Sequence, residues 1–323
     1  PSLWISVFAS DMVSLGMKTP MVSVIIPTWN RQNTIGKCLE SVLNQTYKDY
    51  EIIVADDGST DETVEIVQKY ADKHENIILL DLKNNSKTPA VPRNRAFEKS
   101  SGKWIAFLDS DDYWLPNKLE IQMAFIYESS NDNRSIEAVA TNANTISSNS
   151  ENHGKYINLK ADHKSKFSFV HDETVSGGVK SVGYTSYIFD YHFLTSLKNE
   201  NPIITSSVIV SRKLFEDVKG MPEEISARGV EDFTTWVKIS MLTDWFVIDD
   251  PMLNYTYDSQ NSMRSTVDIS KLFSTQRIIT FKNLLNVQLE FINKYRSDLK
   301  IKLARARLSQ FKHKILNRRI RSK

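Results

Sequence analysis

Cysteine is almost absent. One residue, Cys38, occurs in 323. No disulfide can close within the chain, and a reducing compartment suits it. Cys38 lies inside a helical pattern, where a small buried packing role is expected over a reactive thiol. No Cys/His cluster has zinc spacing. No stretch approaches the roughly 20 apolar residues that a membrane-spanning helix needs. The opening "PSLWISVFASDMVSLGMKTP" has neither an initiating Met nor the basic n-region of a signal peptide. Residues 1–20 read as an extension upstream of the folded unit, with Met21 as its natural start.

What remains is ordinary for a soluble globular protein: 41% hydrophobic and 25% charged. The length suits one large domain or two small ones. The charge is unevenly placed. Residues 294–323 hold twelve Lys or Arg and one acid, Asp298, a local net of +11 against +2 for the whole chain. The remainder therefore carries −9, and a basic tail on an acidic body implies a partner for the tail.

Periodicity places buried strands at "MVSVIIPTWN", stopped by Pro27, at "YEIIVADDGS", at "NIILLDL" and at "KWIAFLDSDD". Helical patterns separate them. Ile35, Leu39, Val42 and Leu43 share one face. "STDETVEIVQKYADKH" has Ser59 or Thr60 as a candidate N-cap, with Asp61 and Glu62 in the first turn. "PAVPRNRAFEKSSG" gives a loop and a short helix. This alternation predicts an α/β fold: a Rossmann-like, mainly parallel sheet flanked by helices, joined by right-handed crossovers. In such sheets ligands bind outside the carboxyl ends of the strands. Three strand ends carry polar clusters: Thr28-Trp29-Asn30, Asp56-Asp57-Gly58 and Asp109-Ser110-Asp111. Topology should bring them to one rim. Residues 130–200 read as loops and edge strands, "PIITSSVIV" as a further strand, and "VEDFTTWVKISML" as a helix with Glu231 and Asp232 in its first turn. From about residue 266 a helical extension runs almost to the end. There is no internal repeat.

The pieces "VSVIIPTWNR", "LESVLNQTYKDYEIIVADDGSTDET", "PRNRAFEKSSGKWIAFLDSDDYW" and "GVEDFTTWVKIS" together resemble family 2 inverting nucleotide-sugar glycosyltransferases, which have the GT-A fold. The resemblance runs from Met21 to about Tyr257, with all four pieces in family order and spacing. It implies a nucleotide-sugar-binding half over 21–130 and an acceptor-side half over 131–265; the basic helical tail over 266–323, read from charge and period, follows them. It further implies that the D-x-D element, Asp109 and Asp111, holds Mn²⁺ or Mg²⁺, whose preference is for carboxylate oxygen. Asp111 is the expected direct ligand. Asp112 is expected to be a solvated turn or helix-capping acid, and Asp56 a turn residue.

By the same resemblance Trp29 stacks on uracil, Asp57 accepts from the ring imide, and Pro27 and Thr28 line that pocket. Ser110 belongs to the donor site, and Arg93 approaches the diphosphate as a charge-assisted donor. Arg95 and Asn94 read equally as ligand contacts or as the start of a helix. In the acidic pair, Asp232 is the expected base that deprotonates an acceptor hydroxyl, and Glu231 supports it. Inversion needs no covalent intermediate, so no nucleophile is sought. Many relatives carry a His after the last strand. Here "LNYTYDSQNSMRS" has none, and Asp258, Ser262 or Arg264 could reach that place. His153, His163, His171 and His192 fall in the irregular region and read as surface or acceptor-side residues.

The expected reaction is transfer from a UDP-sugar to a hydroxyl of a growing surface glycan, with a polyprenyl-diphosphate-linked acceptor implied by the family and the basic tail. A cytoplasmic protein, peripheral on the inner face of the cell membrane, fits that acceptor. One alternative is a nucleotide-sugar-binding or scaffold protein without turnover, against which the complete set of acids argues. A nucleotidyltransferase would carry a Gly-rich loop after the first strand, and "PTWNRQNT" contains no glycine. In the tail, Ile301, Ala304, Leu308, Phe311 and Ile315 recur at spacings of three and four, flanked by Lys300, Lys302, Arg305, Arg307, Lys312 and Lys314. Such a stripe suits a helix lying on an anionic membrane. The other reading is a helix packed on the catalytic domain or on a second subunit. Low aromatic content and an acidic body argue against nucleic acid.

Overall fold

The computed structural model describes residues 19–131, 135–147, 151–156, 166–175, 178–196, 201–257, 269–286 and 289–307. In chain order the first half comprises β1 (Val22–Thr28), α1 (Ile35–Leu43), β2 (Tyr50–Asp56), α2 (Thr63–Ala71), β3 (Ile77–Asp81), α3 (Ala90–Lys99), β4 (Trp104–Phe107), β5 (Tyr113–Trp114) and α4 (Lys118–Asn131). The second half comprises β6 (Ala138–Ser147), β7 (Asn152–Lys155), β8 (Lys166–Val175), β9 (Gly178–Phe189), α5 (Tyr191–Ser196), β10 (Ile209–Ser211), α6 (Arg212–Asp217), α7 (Glu231–Ser240), β11 (Trp245–Tyr257) and α8 (Ile269–Asn286).

β1 and β2 are buried at all seven positions each, as strands covered on both faces must be. Alternation sends Val22, Val24 and Ile26 to one side and Ile25 to the other. The first side packs against α1, α2 and α4 through Leu39, Val67 and Phe125. The second packs against α3, α6 and α7 through Ala96, Phe215 and Trp236. Cys38 faces inward from α1, at 1% exposure.

The strands form one sheet in the order β3-β2-β1-β4-β10-β6-β11-β9-β8, with β5 on β11 and β7 on β6. β3, β2, β1 and β4 are parallel. β10 runs antiparallel between β4 and β6, and β6 and β11 are parallel again. The result is the expected α/β architecture.

Several local expectations are corrected. β1 continues through Pro27 to Thr28 instead of stopping there. Pairing with β4 ends at Ile25↔Phe107, after Leu108 N donates to Ile25 O at 3.0 Å. Pro27 therefore sits where no neighbour on that side requires its missing N–H. α2 begins at Thr63. Asp61 Oδ1 accepts from Thr63 N at 3.0 Å, while Ser59 turns back to Asp56, whose Oδ1 accepts from Ser59 N at 2.7 Å. In the 130–200 region, β6 lies inside the sheet. Its Asn142 reads as a loop residue but is buried, with Nδ2 donating to Asp249 Oδ1 at 3.1 Å. Of "PIITSSVIV" only Ile209 and Val210 pair, in the strand Ile209–Ser211, and Thr205–Ser207 form one 3₁₀ turn. Their hydroxyls take partners that an extended ladder would not reach.

The C-terminal helices pack on the outer side of α7. Ile278, Phe281 and Leu284 of α8 join Phe233 and Val237, together with Leu299 and Leu303. The last two belong to a helix over residues 296–307. Tyr191 Oη donates to Asp298 Oδ2 at 2.8 Å, and Lys302 Nζ donates to Thr195 Oγ1 at 2.6 Å. The helix thus has an apolar face different from the one expected. Leu299 and Leu303 fit the same spacing and take the domain side, and Ile301 stays 51% exposed. Leu308, Phe311 and Ile315 lie outside the described residues. Among the described residues no helix is long and apolar enough to cross a membrane.

Lys238 on α7 is buried, and its Nζ donates to Val218 O at 2.7 Å and Gly220 O at 2.8 Å, tying down the end of α6. Burial lowers its pKa to about 8. Between that value and roughly 10.4 the unfolded chain holds a proton that the folded chain releases, so stability rises with pH through the window. Relative to Lys238→Met, the wild type is expected to gain on the order of 2 kcal/mol between about pH 7.5 and about pH 10. Chemical unfolding of both proteins across that range checks this, and a pH-independent difference contradicts it.

Candidate active site

The carboxyl ends of β1, β2 and β4 meet at a cavity of about 660 Å³ lined by Pro27, Thr28, Trp29, Asp57, Arg93, Asp109, Ser110 and Asp111. That size is typical of a small-ligand site. The local sequence explains the opening. Each parallel strand runs out into polar residues, and the next helix starts several residues later. Gly58 makes the turn after β2 with φ +76, and a Cβ there would come within 2.8 Å of the Asn84–Asn85 peptide. Asn30 takes φ 50 after β1. Its Oδ1 accepts from Thr60 N at 2.8 Å, which links the first two strand ends.

Trp29 stands at the cavity with 48% of its surface exposed. Thr28 is buried, and its Oγ1 has no hydrogen-bond partner among the described residues. Asp57 accepts from Ser86 N at 3.1 Å through both oxygens and from Ser86 Oγ at 2.9 Å. Burial raises its pKa, and the Ser86 donors offset part of that. Asp56 is buried in the turn through Ser59, as expected, and does not line the cavity.

At the end of β4, Asp111 Oδ2 meets Arg31 NH2 at 3.3 Å with the Asp111 side chain 41% exposed. Desolvation and the neighbouring Asp109 raise the Asp111 carboxyl, and Arg31 counters them. Asp112 corrects the expectation of a solvated cap. It is buried, with Oδ2 accepting from Ser206 Oγ at 2.5 Å and Oδ1 accepting from Thr256 N at 2.8 Å. The chain turns here, Asp112 N donating to Asp109 O at 3.0 Å, and Asp112 is carried inward to its two donors.

A divalent cation fits this donor set. Asp109 and Asp111 offer hard oxygens in a cavity, and each faces one arginine, which leaves its other oxygen for a cation. Among the described residues no three His, Cys, Asp or Glu side chains form a metal site by themselves. Two carboxylates completed by water and ligand phosphates is the usual way Mg²⁺ is held.

Arg93 is placed differently from expectation. It lines the cavity but is 4% exposed, and two carboxylates engage it: NH2 with Asp109 Oδ1 at 2.5 Å and NH1 with Glu231 Oε1 at 3.3 Å. Burial alone would lower its pKa; Asp109 and Glu231 reverse that and raise it. Arg93 therefore bridges the D-x-D loop and the acidic pair while lining the cavity. The next residues act the same way. Asn94 Nδ2 donates to Met221 O at 2.8 Å, Asn94 Oδ1 accepts from Met221 N at 3.0 Å, and Arg95 pairs with Glu223 at 3.3 Å. α3 thus seats the loop that leads to Glu231 and Asp232.

Both acids lie in the first turn of α7, as expected. Glu231 is buried and its Oε2 accepts from Gly229 N at 2.6 Å. Burial and then Asp232 raise its carboxyl, against Arg93. Asp232 Oδ2 accepts from Thr205 Oγ1 at 3.2 Å and Asn201 Nδ2 at 3.4 Å. Neither acid lines the cavity itself; Glu231 joins it through Arg93. Sequence reasoning missed Arg31, Lys87 and Arg228, the other cations lining the cavity. Arg31 directly follows Asn30 in "PTWNR", and Arg228 stands three residues before Glu231. Asp258, Ser262 and Arg264 lie outside the described residues, as do the side chains of His163, His171 and His192. His153 is exposed.

The model of glycosyl transferase family 2 matches residues 23–174. The UDP-Glc:α-D-GlcNAc-diphosphoundecaprenol β-1,3-glucosyltransferase WfaP of Escherichia coli is 45% identical over 107 residues, 33% of this chain and 41% of that protein. A poly(ribitol-phosphate) β-glucosyltransferase of Bacillus spizizenii is 44% identical over 94 residues, 28% of this chain and 15% of that protein. The chain therefore spans less than half the length of these relatives. Among solved structures, S. aureus TarS 1–349 in complex with UDP-GlcNAc superposes with a TM-score of 0.59 at 24% identity, covering 90% of this chain and 72% of that one. Through residues 23–174 the chain belongs to glycosyl transferase family 2, and its mainly parallel α/β sheet is that of the GT-A fold.

Proposed function

We propose that the chain is a metal-dependent inverting glycosyltransferase that moves a sugar from a UDP-sugar to a hydroxyl of a growing surface glycan carried on polyprenyl diphosphate. One observation carries the reading. The cavity at the strand ends gathers an exposed indole, an unpartnered Thr28 hydroxyl and the Asp109–Asp111 pair, and Arg93 links it to an acidic pair on α7. The WfaP relative, named for transfer from UDP-Glc to a GlcNAc-diphosphoundecaprenol acceptor, supports this donor and acceptor class.

In this reading uracil stacks on Trp29 and its imide N–H donates to Asp57 Oδ, with Pro27 and Thr28 along the same wall. Asp109 and Asp111, beside Ser110, hold Mn²⁺ or Mg²⁺. When bound, the cation stabilises the negative charge that grows on the departing diphosphate. Lys87 and Arg228 take the phosphate-facing role expected of Arg93. An acceptor hydroxyl bonds to the anomeric carbon as the bond to the diphosphate oxygen breaks on the opposite face. The electron pair leaves with UDP, and Asp232 takes the hydroxyl proton. Glu231, charged beside Arg93, holds α7 in place.

Transfer of labelled sugar from a UDP-sugar panel tests the reaction, with thermal unfolding as the binding readout. UDP with Mn²⁺ is expected to raise the melting temperature of the wild type. Asp111→Ala should fold normally, lose the Mn²⁺-dependent part of that rise and lose most transfer. Equal transfer by chelator-treated and Mn²⁺-supplied enzyme would sink the metal dependence, and no transfer from any UDP-sugar would sink the donor class.

A further inference from the structure

The turn Thr205–Ser207 touches both acidic stations, although nothing in its sequence marks it. All three residues are buried. A 3₁₀ turn has three residues per revolution, so neighbouring side chains leave it about 120° apart. Ser207 spends its hydroxyl locally, donating to Ile204 O at 2.7 Å. Its two neighbours do not. Thr205 Oγ1 donates to Asp232 Oδ2 at 3.2 Å. Ser206 Oγ donates to Asp112 Oδ2 at 2.5 Å and accepts from Asp109 N at 3.0 Å. The carbonyl side of the turn is anchored from another direction: Ser206 O accepts from Trp114 Nε1 at 2.7 Å and Ser207 O from Gln122 Nε2 at 2.9 Å.

We infer that Thr205 and Ser206 are positioning residues that fix the Asp232 carboxylate and the Asp109–Asp111 loop relative to each other from one rigid turn. The Thr205 half rests on the proposed role of Asp232. A carboxylate that takes a proton during attack must present a lone pair along the hydroxyl's approach, and small misplacements are expensive in rate. Thr205 and Asn201 both donate to Oδ2, and Phe233 N donates to Oδ1 at 2.6 Å. These donors set the plane of the carboxylate. Ser206 does the same for the other station through the backbone N–H of Asp109 and through Asp112. The turn is therefore a gauge between the group that receives the proton and the loop that meets the diphosphate.

Steady-state kinetics of the full chain test this. Thr205→Val keeps the shape and removes the donor. It is expected to lower kcat by about 10- to 100-fold, with donor KM within about twofold of wild type, and Thr205→Ser should restore most of the loss. Ser206→Ala should raise the Mn²⁺ concentration for half-maximal rate by about tenfold and lower kcat less once Mn²⁺ saturates. If Thr205→Val does not fold, Asn201→Ala removes the second donor to the same oxygen, and the same kcat loss at unchanged KM is expected. Wild-type kcat in Thr205→Val, or failure of Thr205→Ser to recover it, overturns the Thr205 assignment. An unchanged Mn²⁺ dependence in Ser206→Ala overturns the other. Asp232→Asn, measured alongside, separates the levels: if it loses turnover while Thr205→Val keeps it, only the positioning role falls. If Asp232→Asn keeps turnover, the base assignment falls and takes the Thr205 half with it.

Discussion

Asp232→Asn is expected to lower turnover by about 10²- to 10⁴-fold, the usual contribution of a general base. The substitution keeps the size of the side chain and leaves an oxygen to accept from Thr205 and Asn201, which now approach Asp232 Oδ2 at 3.2 and 3.4 Å. It removes the ability to take a proton. Because Asp232 does not line the cavity, donor affinity should change little. A fall in kcat with unchanged donor KM marks an interaction used only in the transition state. Titration with UDP together with single-turnover rates separates the two. Lost UDP-sugar binding with retained turnover would move Asp232 to the donor side.

Arg93→Met is expected to destabilise the fold by about 3–5 kcal/mol, the range for removing one partner of a buried ion pair. Arg93 is 4% exposed and faces Asp109 at 2.5 Å and Glu231 at 3.3 Å. Without the guanidinium, Glu231 keeps Gly229 N as a donor and stays buried. Arg93→Lys should recover little, since one ammonium cannot fork to two carboxylates on different elements. Adding Glu231→Gln to Arg93→Met should return part of the loss, because a neutral amide is left buried in place of a charge. Urea unfolding of the three variants measures this. Wild-type stability in Arg93→Met would show that the bridge does not hold the two loops.

The parts of the site that the sequence made legible are those where topology does the placing. Alternating buried strands and helical patterns must put Trp29, Asp57 and Asp111 on one rim, and they line one cavity. The acids of α7 were equally readable, since Glu231 and Asp232 precede a run of helical period. What was hidden depends on partners far away in the chain. Asp112 looks like Asp111 in sequence, and it is turned inward by Ser206, 94 residues later. Arg93 reads as a phosphate donor, and nothing near it in sequence announces its pairing with Glu231, 138 residues on. "ITSS" has strand composition, and the demand for hydroxyls at two loops bends it into a turn. In the tail, two apolar faces satisfy the same spacing, and only contact with Tyr191 and Val237 selects Leu299 and Leu303 over Ile301.

Pro27 has a consequence for how such a site can change over time. In the parallel ladder between β1 and β4, the rung after Leu108 N to Ile25 O would run from the N–H of residue 27 to Leu108 O. Proline has no hydrogen to give, so the two strands part there, and the cavity begins where they part. The slot is fixed by the main chain and needs no bulky wedge to keep it open. Replacing Trp29, which is exposed on its lip, therefore need not close the slot. Under the proposed function, such a replacement alters which base is accepted while the slot itself persists.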